Sequence, residues 1–237
     1  VKARSKVVIV KDGPYLVSGR LPLARVIAKV GRSGEPEEWQ EGERFPKQES
    51  YALCRCGKSR SKPFCDGTHV RARFKGVETA SRKPFDQMAK RFKGPALELS
   101  DAEELCSSAR FCLRGKGTWR SVHMSNRAEE KKLATETACN CPSGRLVVRV
   151  RKTGKVIEPK HQRSIGLIED PQLRVSGPVW LKGGIELESS DGTKYETRNR
   201  VTLCRCGASK NKPFCDGAHV AKRFNDRDES LKSGKTG

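Results

Sequence analysis

Ten cysteines and four histidines stand in this chain of 237 residues, and eight of them share one spacing used twice. Cys54, Cys56, Cys65 and His69 return as Cys204, Cys206, Cys215 and His219, an offset of 204 − 54 = 150 positions. Each set reads C-x-C, eight residues, C, three residues, H. Residues two apart on an extended strand share a face, so Cys54 and Cys56 point together while Arg55 points away. Cys65 and His69, four apart, share one face of a helical turn. Asp66-Gly67 sits at the start of that turn, where an acidic side chain caps free amides, and Pro63 stiffens the approach. Two ligand pairs converging on a small metal centre is the chemistry this pattern offers. Three cysteines and one histidine also satisfy a tetrahedral zinc ion. The RNA-binding fingers that end in C-x3-H, however, carry a cysteine midway along the loop, not a C-x-C ahead of it.

The whole repeated block, Leu53 to Val70 and Leu203 to Val220, resembles the CDGSH iron–sulfur family, whose pattern is C-x-C-x2-S/T-x3-P-x-C-D-G-S/A/T-H. Both copies meet it at every fixed position, with Ser59 and Pro63 in one and Ser209 and Pro213 in the other. The resemblance implies two 2Fe–2S clusters. Cys54 and Cys56 would bind the buried iron and Cys65 and His69 the outer one. Cys204 and Cys206, then Cys215 and His219, would repeat this. Replacing thiolate by imidazole raises the reduction potential of such a cluster. A protonatable ligand also couples reduction to pH and weakens binding in acid. Arg55 and Lys58 would favour the reduced, more negative state. Single-motif chains of the family pair as homodimers, so two motifs in one chain imply an internal pseudo-dimer.

Cys106, Cys112, Cys139 and Cys141 remain. Single-cluster ferredoxins resemble C-x2-C-x2-C followed by a distant C-P. Here Cys106, Cys112 and Cys141-Pro142 fit the first, third and last ligands, and Ala109 replaces the second. This is similar to a divergent one-cluster ferredoxin domain. It implies a third centre, 4Fe–4S if Cys139 supplies the fourth thiolate or 3Fe–4S if three suffice. Packed thiols in a small core are the alternative. His123 and His161 have no motif around them.

The elements that must position these ligands read as α+β: two small β-rich modules, each with a cluster-binding loop and helix turn, around a small helical ferredoxin-like insert. Residues 1–75 form the first module and 159–237 the second, with 76–95 a basic linker and 96–158 the insert. Strands are expected at Lys6–Lys11, Tyr15–Ser18 and Ala24–Val30, then at Pro178–Leu181, Ile185–Glu188 and Tyr195–Val201. Asp191-Gly192 is a hairpin signal. Asp12–Gly19 echoes Asp170–Gly177, which extends the repeat upstream. In the insert, Ser100-Asp-Ala-Glu103 fits a capping box for a helix carrying Leu105, Ala109, Cys112 and Leu113. Arg127–Ala138 reads as a second helix, and Leu146–Val150 and Val156–Ile157 as a hairpin around Thr153-Gly154.

Composition bounds the rest. Hydrophobic residues are 35% and aromatics 6%, which suits small thin cores stapled by metal. No apolar run approaches the roughly 20 residues that cross a bilayer. The net charge is +21, densest between residues 54 and 100, where 12 Lys and Arg face 4 Asp and Glu. That field attracts an acidic protein partner or a polyanion such as RNA. There is no phosphate loop, nucleotide fingerprint or Ser/His/Asp arrangement, so an enzyme is not expected. The readings are therefore an electron-transfer or cluster-transfer protein and, alternatively, an accessory subunit of a respiratory complex or ribosome with structural clusters. A zinc-dependent RNA-binding protein is more distant. Reduced cysteines, the basic charge and an opening Val1 point to a mitochondrion, with a bacterial cytoplasm as the alternative.

Overall fold

The computed structural model describes residues 5–232, so Val1 lies outside the described residues. The N-terminal half supplies five strands, β1 (Lys6–Ile9), β2 (Tyr15–Ser18), β3 (Leu23–Val30), β4 (Pro36–Arg44) and β5 (Ser50–Leu53). Next come β6 (Lys90–Lys93), β7 (Leu97–Asp101), β8 (Leu146–Val150) and β9 (Val156–Ile157). The C-terminal half adds β10 (Ser164–Asp170), β11 (Val175–Lys182), β12 (Glu186–Glu188) and β13 (Arg200–Leu203). Helices are few: α1 (Thr68–Arg71), α2 (Phe85–Met88), α3 (Thr118–His123), α4 (Ala128–Cys139) and α5 (Ala218–Ala221).

The two halves exchange strands. One sheet runs β12-β1-β2-β5 and the other β13-β11-β10-β3-β4. In the first, β12 lies parallel to β1, with Leu187 beside Val7. In the second, β3 lies parallel to β10, with Leu23 beside Ile165. The second half thus lends β12 to the sheet of the first, and the first half lends β3 and β4 to the sheet of the second, around a pseudo-twofold axis. The chain turns at Gly19 and Arg20, both of positive φ, and Pro22, which holds Leu21 extended, then feeds it into β3. The inner faces of both sheets share one apolar core, in which Val7, Ile9, Tyr15 and Leu53 meet Ile165, Leu167, Leu181 and Leu203.

Register corrects the upstream repeat. Tyr15 pairs with Leu53, and Val179 pairs with Leu203. Tyr15 is therefore equivalent to Val179, an offset of 164, whereas the Asp12/Asp170 echo implies 158. Gly13 packed on Val10 and Gly177 packed on Ile168 keep the offset of 164. Before the hairpin the offset is 158, since Ile9 opposite Tyr15 matches Leu167 opposite Val179; the echo therefore holds at Asp12 and Asp170 and fails at Gly19 and Gly177, because the hairpin joining β10 to β11 is six residues longer than the one joining β1 to β2. The sequence reading also passed over β10, whose Glu169 and Asp170 look like solvent residues. Both are buried, because arginines meet them: Glu169 Oε1 lies 2.6 Å from Arg25 and Asp170 Oδ2 2.6 Å from Arg110.

Residues 76–95 are not a free linker. Glu78 accepts hydrogen bonds from Ser189 Oγ and Tyr195 Oη, each at 2.8 Å, and Phe85 is buried in the common core. The insert is likewise less helical than expected. It is a four-stranded antiparallel sheet, β6-β7-β8-β9, with α3 and α4 closing a core of Leu97, Leu99, Val122, Ala134, Ala138, Leu146 and Val148. Ser100 and Asp101 end β7 instead of capping a helix, and only short 3-10 turns follow at Glu103–Leu105 and Phe111–Leu113. Asp101 is drawn away to Arg145, with Nε to Oδ1 at 2.6 Å and Nη2 to Oδ2 at 3.0 Å. The hairpin of β8 and β9 and the helix α4 lie where the sequence places them.

Candidate metal centres

Each CDGSH-type loop begins where a strand ends. β5 delivers Cys54 and Cys56, and α1 delivers His69; β13 and α5 do the same for Cys204, Cys206 and His219. The loop between them is pinned by hydrogen bonds repeated in both copies. Ser59 Oγ donates to Phe64 O at 2.7 Å, and Ser209 Oγ to Phe214 O at 2.8 Å. Asp66 accepts from Arg60 N at 2.8 Å and Thr68 N at 2.9 Å, and Asp216 from Lys210 N at 2.7 Å and Ala218 N at 3.0 Å. The expected capping role of this aspartate is thus an Asx turn that bridges the loop.

The ligands come together as pairs. Cys54 Sγ and Cys56 Sγ are 3.8 Å apart, and Cys204 Sγ and Cys206 Sγ 3.7 Å. Cys65 Sγ lies 3.3 Å from His69 Nδ1, and Cys215 Sγ 3.4 Å from His219 Nδ1. Two thiolates each about 2.3 Å from one tetrahedral ion stand about 3.8 Å apart. Each pair therefore matches two ligands of one ion. Among the described residues, no three His, Cys, Asp or Glu side chains converge tightly enough to hold a single ion. The donor set fits a centre with two metals. Lys58 N and Ala208 N point at the sulfurs of Cys56 and Cys206, at 3.4 and 3.5 Å. Hydrogen bonding from Cys56 holds the Cys54 thiol down at about 6, and Cys206 does the same for Cys204.

The two loops touch back to back. A Cβ added to Gly57 would lie 2.5 Å from Cys206 O, and one added to Gly207 would lie 2.5 Å from Cys56 O. Both glycines have positive φ, +73° and +79°, so they are required twice over, by conformation and by contact. Tyr15, from the first half, lies with its Oη 2.8 Å from Cys204 O. Motif reading did not find it; the packing of the two sheets on one shared core brings it there.

The centres differ in their surroundings. Arg55 and Arg205 both lie buried behind the inner cysteines. Arg55 donates to the carbonyls of Val10 and Gly76 and faces the rings of Tyr15 and Phe74. Arg205 instead pairs with Glu169, at 2.7 Å, and with Asp226. The expected electrostatic pull is therefore stronger at the first centre, because Arg205 is neutralised. His219 is 5% exposed, and burial, then the charge of Arg205, pushes it down to about 4. Cys65 and His69 are partly exposed. Covering the second centre, Ser107, Ser108 and Ala109 of the insert line one small cavity with His219. Asn211 Nδ2 donates to Glu104 O at 2.7 Å.

Of the four middle cysteines, three come together. Cys106, Cys112 and Cys141 line one concavity of about 300 Å³, open mouth included, with Arg145 at its edge. Burial, then the nearby thiols of Cys141 and Cys106, pushes Cys112 up to about 12. Grouped thiols of this kind suit a metal that takes their protons. Cys139 does not join them; its Sγ lies 3.8 Å from Ile157 O, beside β9. Neither His123 nor His161 enters a ligand group; His161 packs edge-on against Trp180 at 5.5 Å.

Known families match the three regions that carry these residues. The family described as iron-binding zinc finger, CDGSH type, matches residues 12–70 and again 176–220. The chain thus carries two CDGSH-type regions. A second family, described as a divergent 4Fe–4S mono-cluster, matches residues 92–151 between the two CDGSH regions. No curated protein and no solved structure matches the chain. The protein is thus an iron–sulfur protein with two CDGSH-type regions flanking a divergent ferredoxin-type one. Among the described residues no helix is long and apolar enough to cross a membrane.

Proposed function

We propose that the protein is a non-enzymatic electron-transfer or cluster-transfer protein with two 2Fe–2S clusters, held by Cys54, Cys56, Cys65 and His69 and by Cys204, Cys206, Cys215 and His219. The observation that carries this reading is the grouping of each ligand set into two close pairs that do not merge around one ion. A bound cluster supplies one-electron redox chemistry. The chain's own residues set its terms. The inner cysteines sit against backbone N–H groups, and at the first centre also against the buried Arg55, both of which favour added negative charge. The outer histidine is the one imidazole ligand of each set, bound through Nδ1, and its protonation would couple the centre to pH. We further propose that Cys106, Cys112 and Cys141 hold a third cluster, 3Fe–4S, or 4Fe–4S with a non-cysteine fourth ligand. All ten cysteines are free thiols, in keeping with a reducing compartment such as a mitochondrial matrix or bacterial cytoplasm.

The test is a visible spectrum of the purified protein with iron, sulfide and zinc counted on one sample. About four irons per chain correspond to two 2Fe–2S clusters, and seven or eight to a third centre. Cys112→Ser then lowers the count to about four, while Cys139→Ser leaves it unchanged. A colourless, zinc-loaded protein would refute the reading.

A further inference from the structure

The two centres are copies, but their outer faces are not alike. A Cβ added to Gly217 would sit 2.2 Å from Ser108 Oγ, whereas one added to Gly67 meets nothing within 4 Å. Val70, beside His69, is 70% exposed; its counterpart Val220 is partly covered. The insert is therefore seated on the outer face of the second centre. The pseudo-twofold axis leaves the corresponding face of the first centre open.

Charge separates the two faces further. Lys58, Arg71 and Lys75 are exposed around the first centre, and at the same places in the second stand Ala208, Ala221 and Asn225. The second copy gains Lys222, which is spent on Cys206 O at 2.7 Å. Asp66, the one acidic residue between 54 and 77, has its carboxylate engaged by Arg60 N and Thr68 N. An apolar centre with a charged rim is the anatomy of a protein-binding patch. A single-stranded nucleic acid would need exposed aromatic platforms. The loop's rings are turned inward, Phe64 against Phe45 and Phe74 beneath Arg55.

We infer that the outer face of the first centre, around His69 and Val70, is the docking surface for an acidic electron-carrier protein, and that the insert takes the equivalent place on the second centre. The second centre exchanges electrons within the chain, through the loop that carries Cys106. The inference rests on the redox reading above. Opposite charges on the two partners raise the association rate, and the gain falls as salt rises.

The experiment mixes the iron-loaded full-length protein with a reduced, acidic 2Fe–2S ferredoxin. Stopped-flow spectroscopy follows oxidation of the ferredoxin against ionic strength, and calorimetry measures binding of the oxidised pair. K58E/R71E/K75E is expected to slow the low-salt rate by about tenfold or more, to weaken binding, and to flatten the salt dependence. K152E/K155E/K160E changes net charge equally on a distant surface and is expected to stay within about twofold of the parent. The visible spectrum verifies that each variant retains its clusters. Equal slowing by both triple variants, or slowing by neither, overturns the docking surface. Clusters that chemical reductant cannot bleach would instead overturn the redox reading, and the calorimetric comparison would still decide the docking.

Discussion

Acid should strip the two CDGSH centres at different rates. Loss of such a centre in acid begins when its histidine takes a proton. His219 is 5% exposed and held at about 4 by burial and by Arg205, against an ordinary 6.5. The difference of about 2.5 pH units makes its protonation about 3 kcal/mol harder. Cys65 and His69 are partly exposed whereas His219 is buried and harder to protonate, so release from the second centre should be several-fold slower. The sign for the metal-free fold follows: the folded state binds this proton less readily than the unfolded chain, so stability falls as pH drops from 6.5 through about 4. The assay is the decay of the cluster absorbance after a jump to pH 5. Two phases of similar amplitude are expected. His69→Cys, which replaces the exposed imidazole by a thiolate, removes the fast phase; His219→Cys keeps it. A single phase in the parent protein, or loss of the fast phase in His219→Cys, would refute the reasoning.

Two further predictions test the frame that holds the centres. Gly57→Ala should lower the thermal midpoint and the iron content far more than Gly67→Ala. Both glycines have positive φ, which costs a side-chain-bearing residue about 1–2 kcal/mol, but only Gly57 faces a backbone carbonyl that cannot move aside. Equal effects would remove the back-to-back contact from the account. Arg25→Met, on β3, deprives Glu169 and Asp226 of the ion pairs that Arg25 makes across the exchanged strands, at 2.6 and 3.1 Å. Breaking one side of a buried ionic cluster costs about 3–5 kcal/mol, read as a fall in urea midpoint. Burial raises Glu169 to about 7, so the fold binds its proton more tightly than the unfolded chain and stability falls as pH rises from 4.5 through 7. The variant should therefore be worse at pH 8 than at pH 5, and Glu169→Gln should rescue part of the loss. A pH-independent deficit would contradict this.

The metal ligands were legible in the sequence because metal chemistry is local. C-x-C on a strand end and C-x3-H on one helical turn bring donors together whatever the rest of the chain does, and duplication at an offset of 150 removes chance as an explanation. The hairpin of β8 and β9 and the helix α4 were legible for the same reason, since their periodicity and turns lie within a few residues. What depends on partners far along the chain was not. β10 was hidden because Glu169 and Asp170 look soluble until arginines from other elements meet them. Ser100-Asp-Ala-Glu103 satisfies a capping rule, yet Arg145, more than 40 residues away, claims Asp101 and leaves a strand end. Spacing set Cys106, Cys112 and Cys141 on the ferredoxin pattern and left Cys139 open as a fourth thiolate; packing of α4 against β8 and β9 sends Cys139 away from the other three. The two CDGSH motifs are nearly identical as strings of residues. Only the tertiary structure makes them unequal, because the insert can sit on just one of the two faces that the pseudo-twofold axis creates.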